Sequence, residues 1–237
     1  MNILTTDFHT HILPKIDDGS NSVEDSLEML RKEQADGVHT VLLTPHFYPQ
    51  EMYPETFLEN RQLSMEQLQR SFPKDADLPK LIPGAEIYYY TGISQWEQLD
   101  MLTLGDSKYV LIEMPFSTWS ENIYAELKQI YFERGLTPII AHVERYLSRF
   151  RMNRVLNRLL ESPALLQMNC EYLTDKRTQR TALKLISSQK IHLIGSDCHS
   201  PQWRSPIMAQ AREILLTNVD KQTLSFLANN EELIVKR

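Results

Sequence analysis

Seven apolar, strand-like runs of this chain each lead into a side chain that can bind a metal ion or a polar substrate. The side chains that end these runs are, in chain order, the pair His9 and His11, then His46, Glu86, Glu113, His142, Asn169 and Asp197. Folding alone does not require a polar residue at the same end of every strand. A site built at the carboxyl ends of barrel strands does require it, and the pattern therefore predicts such a site.

Two pairs of residues have the spacing of metal ligands. His9 and His11 are two positions apart, so on a strand both imidazoles face one side and can reach the same ion. Asp197 and His199 repeat that spacing after another apolar run. Further candidate ligands of the same kind are His46, Glu86, Glu113, His142 and the Asp17-Asp18-Gly19 turn. Because one ion cannot use this many ligands, the set predicts a multinuclear site. Its nitrogen and oxygen donors suit manganese, iron, zinc or magnesium.

The segments between the strand-like runs have helical patterns. Ser22 and Asp25 resemble a capping box, apolar residues then recur at helical spacing, and Gly37 ends this first helix. Further helices are predicted at 54–72, 121–134, 153–160, 178–189, 207–216 and 221–228. From Glu86 onward the strand-end residues fall 27, 29, 27 and 28 positions apart, about one βα unit each. Alternating strands and helices imply a parallel sheet. The regular spacing favours a closed barrel of seven units, in a single domain over residues 1–237.

Composition argues against several classes of protein. The chain has 237 residues, 42% of them hydrophobic, which is enough for one large core. Its formal net charge of −6 disfavours a nucleic-acid partner, which needs a basic face. Two cysteines, Cys170 and Cys198, make no disulfide framework. Residues 1–4 lack a signal-peptide pattern, and no apolar stretch is long enough to cross a membrane. A cytoplasmic location without membrane insertion is expected.

The motifs at the strand ends resemble the polymerase and histidinol phosphatase (PHP) superfamily. They are Asp7-Phe8-His9-Thr10-His11, Thr44-Pro45-His46, Gly84-Ala85-Glu86, Ile112-Glu113, Ala141-His142-Val143-Glu144-Arg145-Tyr146 and Ser196-Asp197-Cys198-His199. Within them, and at Asp17-Asp18-Gly19, the chain looks most like the metal-dependent tyrosine-protein phosphatases of bacterial capsule and exopolysaccharide loci. The resemblance covers residues 7 to about 210. It implies a distorted (β/α)7 TIM-like barrel that carries three metal ions, in agreement with the seven units counted above.

Carried over position by position, the resemblance implies three groups of ligands. The first ion takes His9, His11, Glu86 and Asp197; Glu86 bridges to a second ion on Glu113 and His142; the third ion takes Asp18, His46 and His199. The neighbouring Asp17 remains an alternative to Asp18. Manganese is the metal that the resemblance favours. The phosphate-contacting arginines of the family match Arg145 and Arg204.

The activity that the resemblance implies is a phosphomonoesterase acting on phosphotyrosine in protein. Closely spaced divalent ions lower the pKa of water into the neutral range, so that water attacks phosphorus without a covalent enzyme intermediate. The expected substrate is the tyrosine-rich tail of a membrane-associated tyrosine autokinase that controls polysaccharide export. A small-molecule phosphatase, such as one for histidinol phosphate, is the alternative enzyme. A non-catalytic regulatory binding module is the alternative from another class.

The segment from Cys198 to Arg204 also matches the bare cysteine-x5-arginine pattern of cysteine phosphatases. Such a loop aims successive backbone N–H groups at phosphate, and Pro201 removes one of them. Cys198 is therefore predicted to be a small residue that faces away from the ligands beside it.

The mouth of the barrel is predicted to be covered by the loop from Phe47 to Pro54. Apolar walls for a phosphotyrosine ring are expected from Phe47, Tyr48, Tyr53 and Trp203. Asn169 ends a barrel strand and is predicted to hydrogen-bond a ligand or a water molecule.

Overall fold

The computed structural model of the chain describes residues 3–74, 77–116, 119–147 and 152–235. Strands β1 to β9 span Thr6–Thr10, Thr40–Leu43, His46–Phe47, Lys80–Pro83, Glu86–Tyr88, Tyr109–Glu113, Thr137–Ile140, Leu165–Asn169 and Leu193–Gly195. Helices α1 to α9 span Val23–Ala35, Pro54–Arg70, Glu121–Arg134, Glu144–Leu147, Met152–Leu160, Cys170–Thr174, Gln179–Ser187, Met208–Asn218 and Lys221–Val235. Two short 3-10 helices follow β5, at Ile93–Gln95 and Glu97–Leu102.

All strand pairs among these elements are parallel, and they form one barrel wall in two sheets, β1-β2-β4 and β3-β5-β6-β7-β8-β9. Two barrel strands are interrupted. Thr44 and Pro45 separate β2 from β3, and Gly84 and Ala85 separate β4 from β5. Proline has no N–H for a ladder, so a break at Pro45 is expected. Counting each interrupted pair as one strand gives seven barrel strands, and the predicted distorted (β/α)7 fold is confirmed.

The barrel closes between the first and last strands. Thr10 and Cys198 form a parallel bridge, the His11 N–H donates to the Cys198 carbonyl at 2.9 Å, and the Asp197 N–H donates to the His9 carbonyl at 2.7 Å. These bonds lie at the carboxyl end of β1 and just after β9. They therefore hold the two ligand-like motifs of the sequence, around His9 and around Asp197, side by side.

Two apolar clusters pack against the barrel wall, one on its inner side and one on its outer side. The smaller one takes residues from strands around the barrel and so fills its interior, namely Phe8, Leu42, Leu104, Leu111, Ile139, Ala141, Leu193 and Ile234. The last of these belongs to α9, and Glu231 of the same helix accepts hydrogen bonds from the Leu4 and Thr5 N–H groups at 2.6 and 3.2 Å. Helix α9 is thereby fixed at the amino-terminal end of the barrel, opposite the site. The larger cluster packs between strands and outer helices.

The helices begin and end close to where the sequence predicts. The Ser22 hydroxyl caps α1 by accepting the Asp25 N–H at 3.1 Å, and Gly37 follows the helix at a positive φ of 74°. Helix α3 has the predicted bounds, whereas α9 extends seven residues beyond the predicted end at 228. Two short helices, α4 and α6, were not predicted; each begins just after a polar residue at a strand end. No helix within the described ranges is long and apolar enough to cross a membrane.

Candidate metal centre

Nine nitrogen- and oxygen-bearing side chains meet at the carboxyl ends of the strands, and Glu86 is at their centre. Its Oε2 lies 3.1 Å from His9 Nε2 and 3.3 Å from His11 Nε2. The same Oε2 lies 3.0 Å from His46 Nδ1, and Oε1 lies 2.9 Å from His142 Nε2. Burial raises the pKa of Glu86, but the imidazoles, His9 first, outweigh burial and hold it well below the usual range. Glu86 is therefore an ionised carboxylate with four imidazoles around it.

Three overlapping groups of these side chains have the compactness of metal sites, with ligand atoms within 4.8 Å of one another. They are His9, His11 and Glu86; His46, Glu86 and Glu113; and His11, Asp18, His46 and His199. Asp197 joins the first group, because its Oδ1 lies 3.6 Å from His9 Nε2 and 3.4 Å from His11 Nε2.

His142 lies beside the second group, with its Nε2 3.5 Å from Glu113 Oε1. The structure thus brings together all nine residues that the resemblance implies. His46 touches both the second and the third group, so the grouping is less sharply divided than the three implied sets.

The site contains polar atoms that the protein itself does not satisfy. His46 Nδ1, Glu86 Oε2 and His199 Nε2 are buried and have no partner in hydrogen-bonding geometry. Burying such atoms unpaired costs free energy. Ligand atoms that share one ion at about 2.0–2.2 Å lie about 3–3.5 Å apart, and the contacts of Glu86 with the imidazoles span 2.9–3.3 Å. The residues present therefore fit divalent ions.

The structure distinguishes the two aspartates that the sequence left open. Asp17 Oδ2 lies 2.7 Å from His11 Nδ1 and also accepts the His46 N–H at 2.9 Å. Asp17 thus orients one imidazole and supports the backbone of another, as carboxylates do behind metal-binding histidines. Asp18 instead has its Oδ1 3.6 Å from His46 Nε2 and 3.5 Å from His199 Nε2. The geometry favours Asp18 as the ligand.

Two arginines face the candidate metal ligands from the rim of the barrel. Arg145 Nη2 lies 2.7 Å and Arg204 Nη2 2.6 Å from the same atom, Asp197 Oδ2. Asn169 Nδ2 donates to that oxygen as well, at 2.7 Å. The arginine side chains are one-third and two-fifths exposed, at 33% and 40%. They thus present positive charge and N–H donors at the mouth, an arrangement that suits phosphate oxygens.

Backbone strain is concentrated at the same place. His142, Asp197 and Arg204 have positive φ angles of 33°, 54° and 54°. Non-glycine residues adopt such angles at a cost, which persists where the surrounding structure fixes them and is common at functional sites. Two ligands and one rim arginine are therefore held in conformations that the chain does not favour by itself.

Two residues that the sequence did not single out position the imidazoles. Gln167 Oε1 lies 3.3 Å from His9 Nδ1 and accepts the His142 N–H at 2.7 Å. The Tyr146 hydroxyl lies 3.3 Å from His142 Nδ1 and accepts the Met114 N–H at 2.9 Å. Gln167 lies two positions before Asn169 on strand β8. Because side chains alternate between the two faces of a strand, the sequence already placed both residues on the same face.

The cysteine beside the ligands faces away from them. Cys198 is fully buried, and burial, with Glu33 and Asp7 nearby, raises the pKa of its thiol well above the usual range. A protonated, inaccessible thiol is not a nucleophile, which agrees with the sequence interpretation. Glu33 is itself fully buried, and burial followed by the charge of Asp7 raises the pKa of Glu33 well above its usual value. The side chains of Asp7, Glu33 and Cys198 form a buried group on the far side of the wall.

The predicted aromatic walls of the mouth are only partly correct. The Tyr48 ring stacks on His46 with centroids 5.3 Å apart, beside the ligands. Phe47 is buried and stacks on Trp96 at 5.7 Å, and it also lines the cavity beside His46, as predicted. Tyr53 and Trp203 are 80% and 83% exposed, and neither lines the cavity beside His46. Side-chain direction in a loop has no period, and the sequence therefore did not reveal it.

The chain matches known proteins over most of its length. The CpsB/CapC family, described as capsular polysaccharide synthesis, matches residues 5–236. Tyrosine-protein phosphatase YwqE of Bacillus subtilis (strain 168) is 30% identical, over 97% of this chain and 91% of the relative. Tyrosine-protein phosphatase CpsB of Streptococcus pneumoniae is also 30% identical, over 88% of each chain.

Solved structures give the same comparison in three dimensions. One chain comes from the crystal structures of YwqE from Bacillus subtilis and CpsB from Streptococcus pneumoniae, described there as unique metal-dependent tyrosine phosphatases. It matches with a TM-score of 0.85 and 28% identity, over 98% of this chain and 94% of that one. A phosphotriesterase homology protein from Escherichia coli matches with a TM-score of 0.51 at 8% identity, a likeness of fold alone.

Proposed function

The chain belongs to the CpsB/CapC family of capsular polysaccharide synthesis proteins, and we propose that it is a metal-dependent phosphatase that hydrolyses phosphotyrosine in protein. The observation that carries the proposal is the centre itself. Nine imidazole and carboxylate side chains, Glu86 at their centre, converge at the barrel mouth, and two arginines converge on the Asp197 carboxylate at its rim. Such a centre suits hydrolysis of a phosphate ester, in which negative charge develops on oxygen.

The proposed cofactor is a set of three divalent ions, with manganese favoured by the family resemblance. The residues that would hold them are His9, His11, Asp18, His46, Glu86, Glu113, His142, Asp197 and His199. When bound, divalent ions lower the pKa of water and neutralise phosphate charge. The four carboxylates among these ligands and three divalent ions together leave two positive charges. A protein of net charge −6 can therefore attract an anionic substrate to this point.

The protein's own residues bind the phosphate group and orient the imidazoles of the centre. Arg145 and Arg204 donate hydrogen bonds to phosphate oxygens from the rim of the barrel. Asp197 Oδ2 fixes the orientation of both guanidinium groups. Asp17 holds His11, and Gln167 holds His9, so that the Nε2 atoms of both imidazoles face Glu86. Asn169 adds a third donor to Asp197. Preorganised donors of this kind need no rearrangement as charge develops during the reaction.

The proposed physiological substrate is a phosphotyrosine-bearing tail, that of a membrane-associated tyrosine autokinase, and the proposed location of the phosphatase is the cytoplasm. The direct test is to compare kcat/KM for a phosphotyrosyl peptide, the matched phosphoseryl peptide and histidinol phosphate with manganese-loaded protein. We expect the phosphotyrosyl peptide to be hydrolysed best. If histidinol phosphate were the better substrate, the metal centre would stand and the assignment of phosphotyrosine would be wrong. His142→Ala is the inactive control for contaminating phosphatases.

A further inference from the structure

A cavity of about 360 Å³ lies beside the metal centre, on the side of the third ligand group. Asp18 and His46 line it next to the ligands, and Glu51, which is exposed, lines it at the surface. The apolar part of its wall is formed by Ile16, Phe47, Tyr48, Met52 and Phe57. The cavity thus combines an apolar wall with polar groups of the candidate metal centre, and its volume is in the range of small-molecule sites.

Tyr48 is the part of this wall that is nearest to the ligands. Its ring stacks on the His46 imidazole with centroids 5.3 Å apart and planes 27° apart, and it lies 5.7 Å from the Tyr88 ring. These two neighbours fix the orientation of the ring. Tyr48 is only half-buried and lines the cavity. A second aromatic ring that entered the cavity would therefore meet a fixed aromatic surface next to a metal ligand.

The side of the centre near Asp197, which Arg145 and Asn169 contact, offers a different environment. A smaller cavity of about 190 Å³ lies there, and its lining includes three acidic side chains, Glu144, Glu171 and Asp175, together with Arg145, Asn169 and the ring of Tyr172. An aromatic ring in this cavity would remove charged and polar groups from water without pairing them, which is costly. The guanidinium on this side already faces Asp197. With three acidic side chains against one guanidinium, the smaller cavity is also a poor place for a phosphate, so the larger cavity is the better candidate for the ring.

We infer that the larger cavity holds the aromatic ring of the substrate, with the phosphate toward Arg145 and Arg204, and that Tyr48 determines the preference for aryl over alkyl phosphates. This inference rests on the proposed function, because it assigns the orientation of a substrate in the same site. Tyr48 is then a specificity-determining residue that touches the ring. Offset or tilted contact between two rings stabilises a complex beyond the burial of apolar area.

The experiment compares Tyr48→Leu with wild type on phenyl phosphate and on glycerol 2-phosphate, with manganese-loaded protein. Tyr53→Leu is the matched control, because Tyr53 is the same residue type, five positions away, exposed and outside the cavity. We expect Tyr48→Leu to lower the aryl-to-alkyl ratio of kcat/KM roughly three- to tenfold, through KM for the aryl ester. Tyr53→Leu should leave the ratio at its wild-type value. Metal content is measured for each protein.

Inhibition by phosphonates gives a second readout that needs no cleavage of an aryl ester. Phenylphosphonate should bind Tyr48→Leu more weakly than wild type, whereas the affinity for methylphosphonate should change much less. A ratio that stays constant, or a parallel loss on both substrates with loss of metal, would overturn the inference, since Tyr48 would then only support His46. If wild type hydrolysed no phosphotyrosyl peptide but the phosphonates still behaved as expected, the proposed function would fail and the ring cavity would stand.

Discussion

Arg145→Lys tests whether the proposed phosphate contact at the rim depends on positive charge alone or on the planar fork of the guanidinium. Arg145 places its Nη2 2.7 Å from Asp197 Oδ2 and its Nη1 3.8 Å from Glu113 Oε1, and its side chain is 33% exposed. Lysine keeps the positive charge but carries its donors on one atom, so it cannot bond to Asp197 and grip phosphate with a planar fork. The substitution therefore removes the planar arrangement of N–H donors and retains the positive charge.

The expected loss follows from the number of hydrogen bonds. One charge-assisted hydrogen bond contributes about 1.5–3 kcal/mol, and its loss in the transition state lowers kcat/KM roughly 10- to 150-fold. Solvent screens a side chain that is one-third exposed, which places the expected effect in the lower part of that range. Arg145→Ala should lose more, because it removes the positive charge as well as one of the three donors to Asp197 Oδ2.

The assay is steady-state hydrolysis of a phosphotyrosyl peptide by the manganese-loaded variant, with metal content and thermal unfolding measured on the same preparation. Arg177→Lys is the matched control, because Arg177 is 88% exposed and pairs with Asp175 at the surface. It should have wild-type kinetics. The reasoning is refuted if Arg145→Lys is within twofold of wild type with its metals bound. A loss of activity that only parallels loss of metal would show that Arg145 acts through Asp197 and not on phosphate.

Three further predictions concern groups around the centre. Cys198→Ser should keep most activity because the buried thiol is protonated, and a trapped phosphocysteine would contradict this. Burial, with Glu86 next, raises the pKa of Glu113 to about 7 in the metal-free protein, so metal must displace a proton there. Metal affinity measured by calorimetry should therefore rise from pH 6 to pH 8, and a constant affinity would count against the assignment. The pKa of Glu33 is raised in the folded protein, so the unfolded chain loses that proton first and stability falls with rising pH between the two pKa values. The free energy of unfolding should fall by about 1.4 kcal/mol per pH unit in that range. Denaturant unfolding of Glu33→Gln should lack this slope, and a pH dependence parallel to that of wild type would contradict the prediction.

The barrel was predictable from the sequence because the strand ends carry polar residues. From Glu86 to Asp197 one such residue recurs per βα unit. Together with the two earlier units, which end at His9 and His46, they make the seven that are present. The breaks after Leu43 and Pro83 were not predicted, nor were helices α4 and α6. Elements of two to five residues contain too few positions for a period to be recognised. The extent of a single domain over residues 1–237 stays a prediction.

The types of the site residues could also be predicted from the sequence, but the contacts between their side chains could not. The spacing from His9 preferred Asp18 over Asp17 as the ligand, but it did not say that Asp17 holds the imidazole of His11. That division depends on the direction of two side chains in one turn. Gln167 is similar, because strand alternation placed it on the face of Asn169 but did not show that its carbonyl lies beside His9. Which ions the nine residues hold stays a prediction.

The most direct test of the central claim is hydrolysis of a phosphotyrosyl peptide before and after removal of metal. The protein is stripped by prolonged chelation, its residual metal is measured, and manganese is then added back in steps. If the buried atoms around Glu86 hold the ions that the reaction needs, the stripped protein is inactive while still folded, and activity returns with bound metal. Full activity in the stripped, metal-free protein would contradict the account.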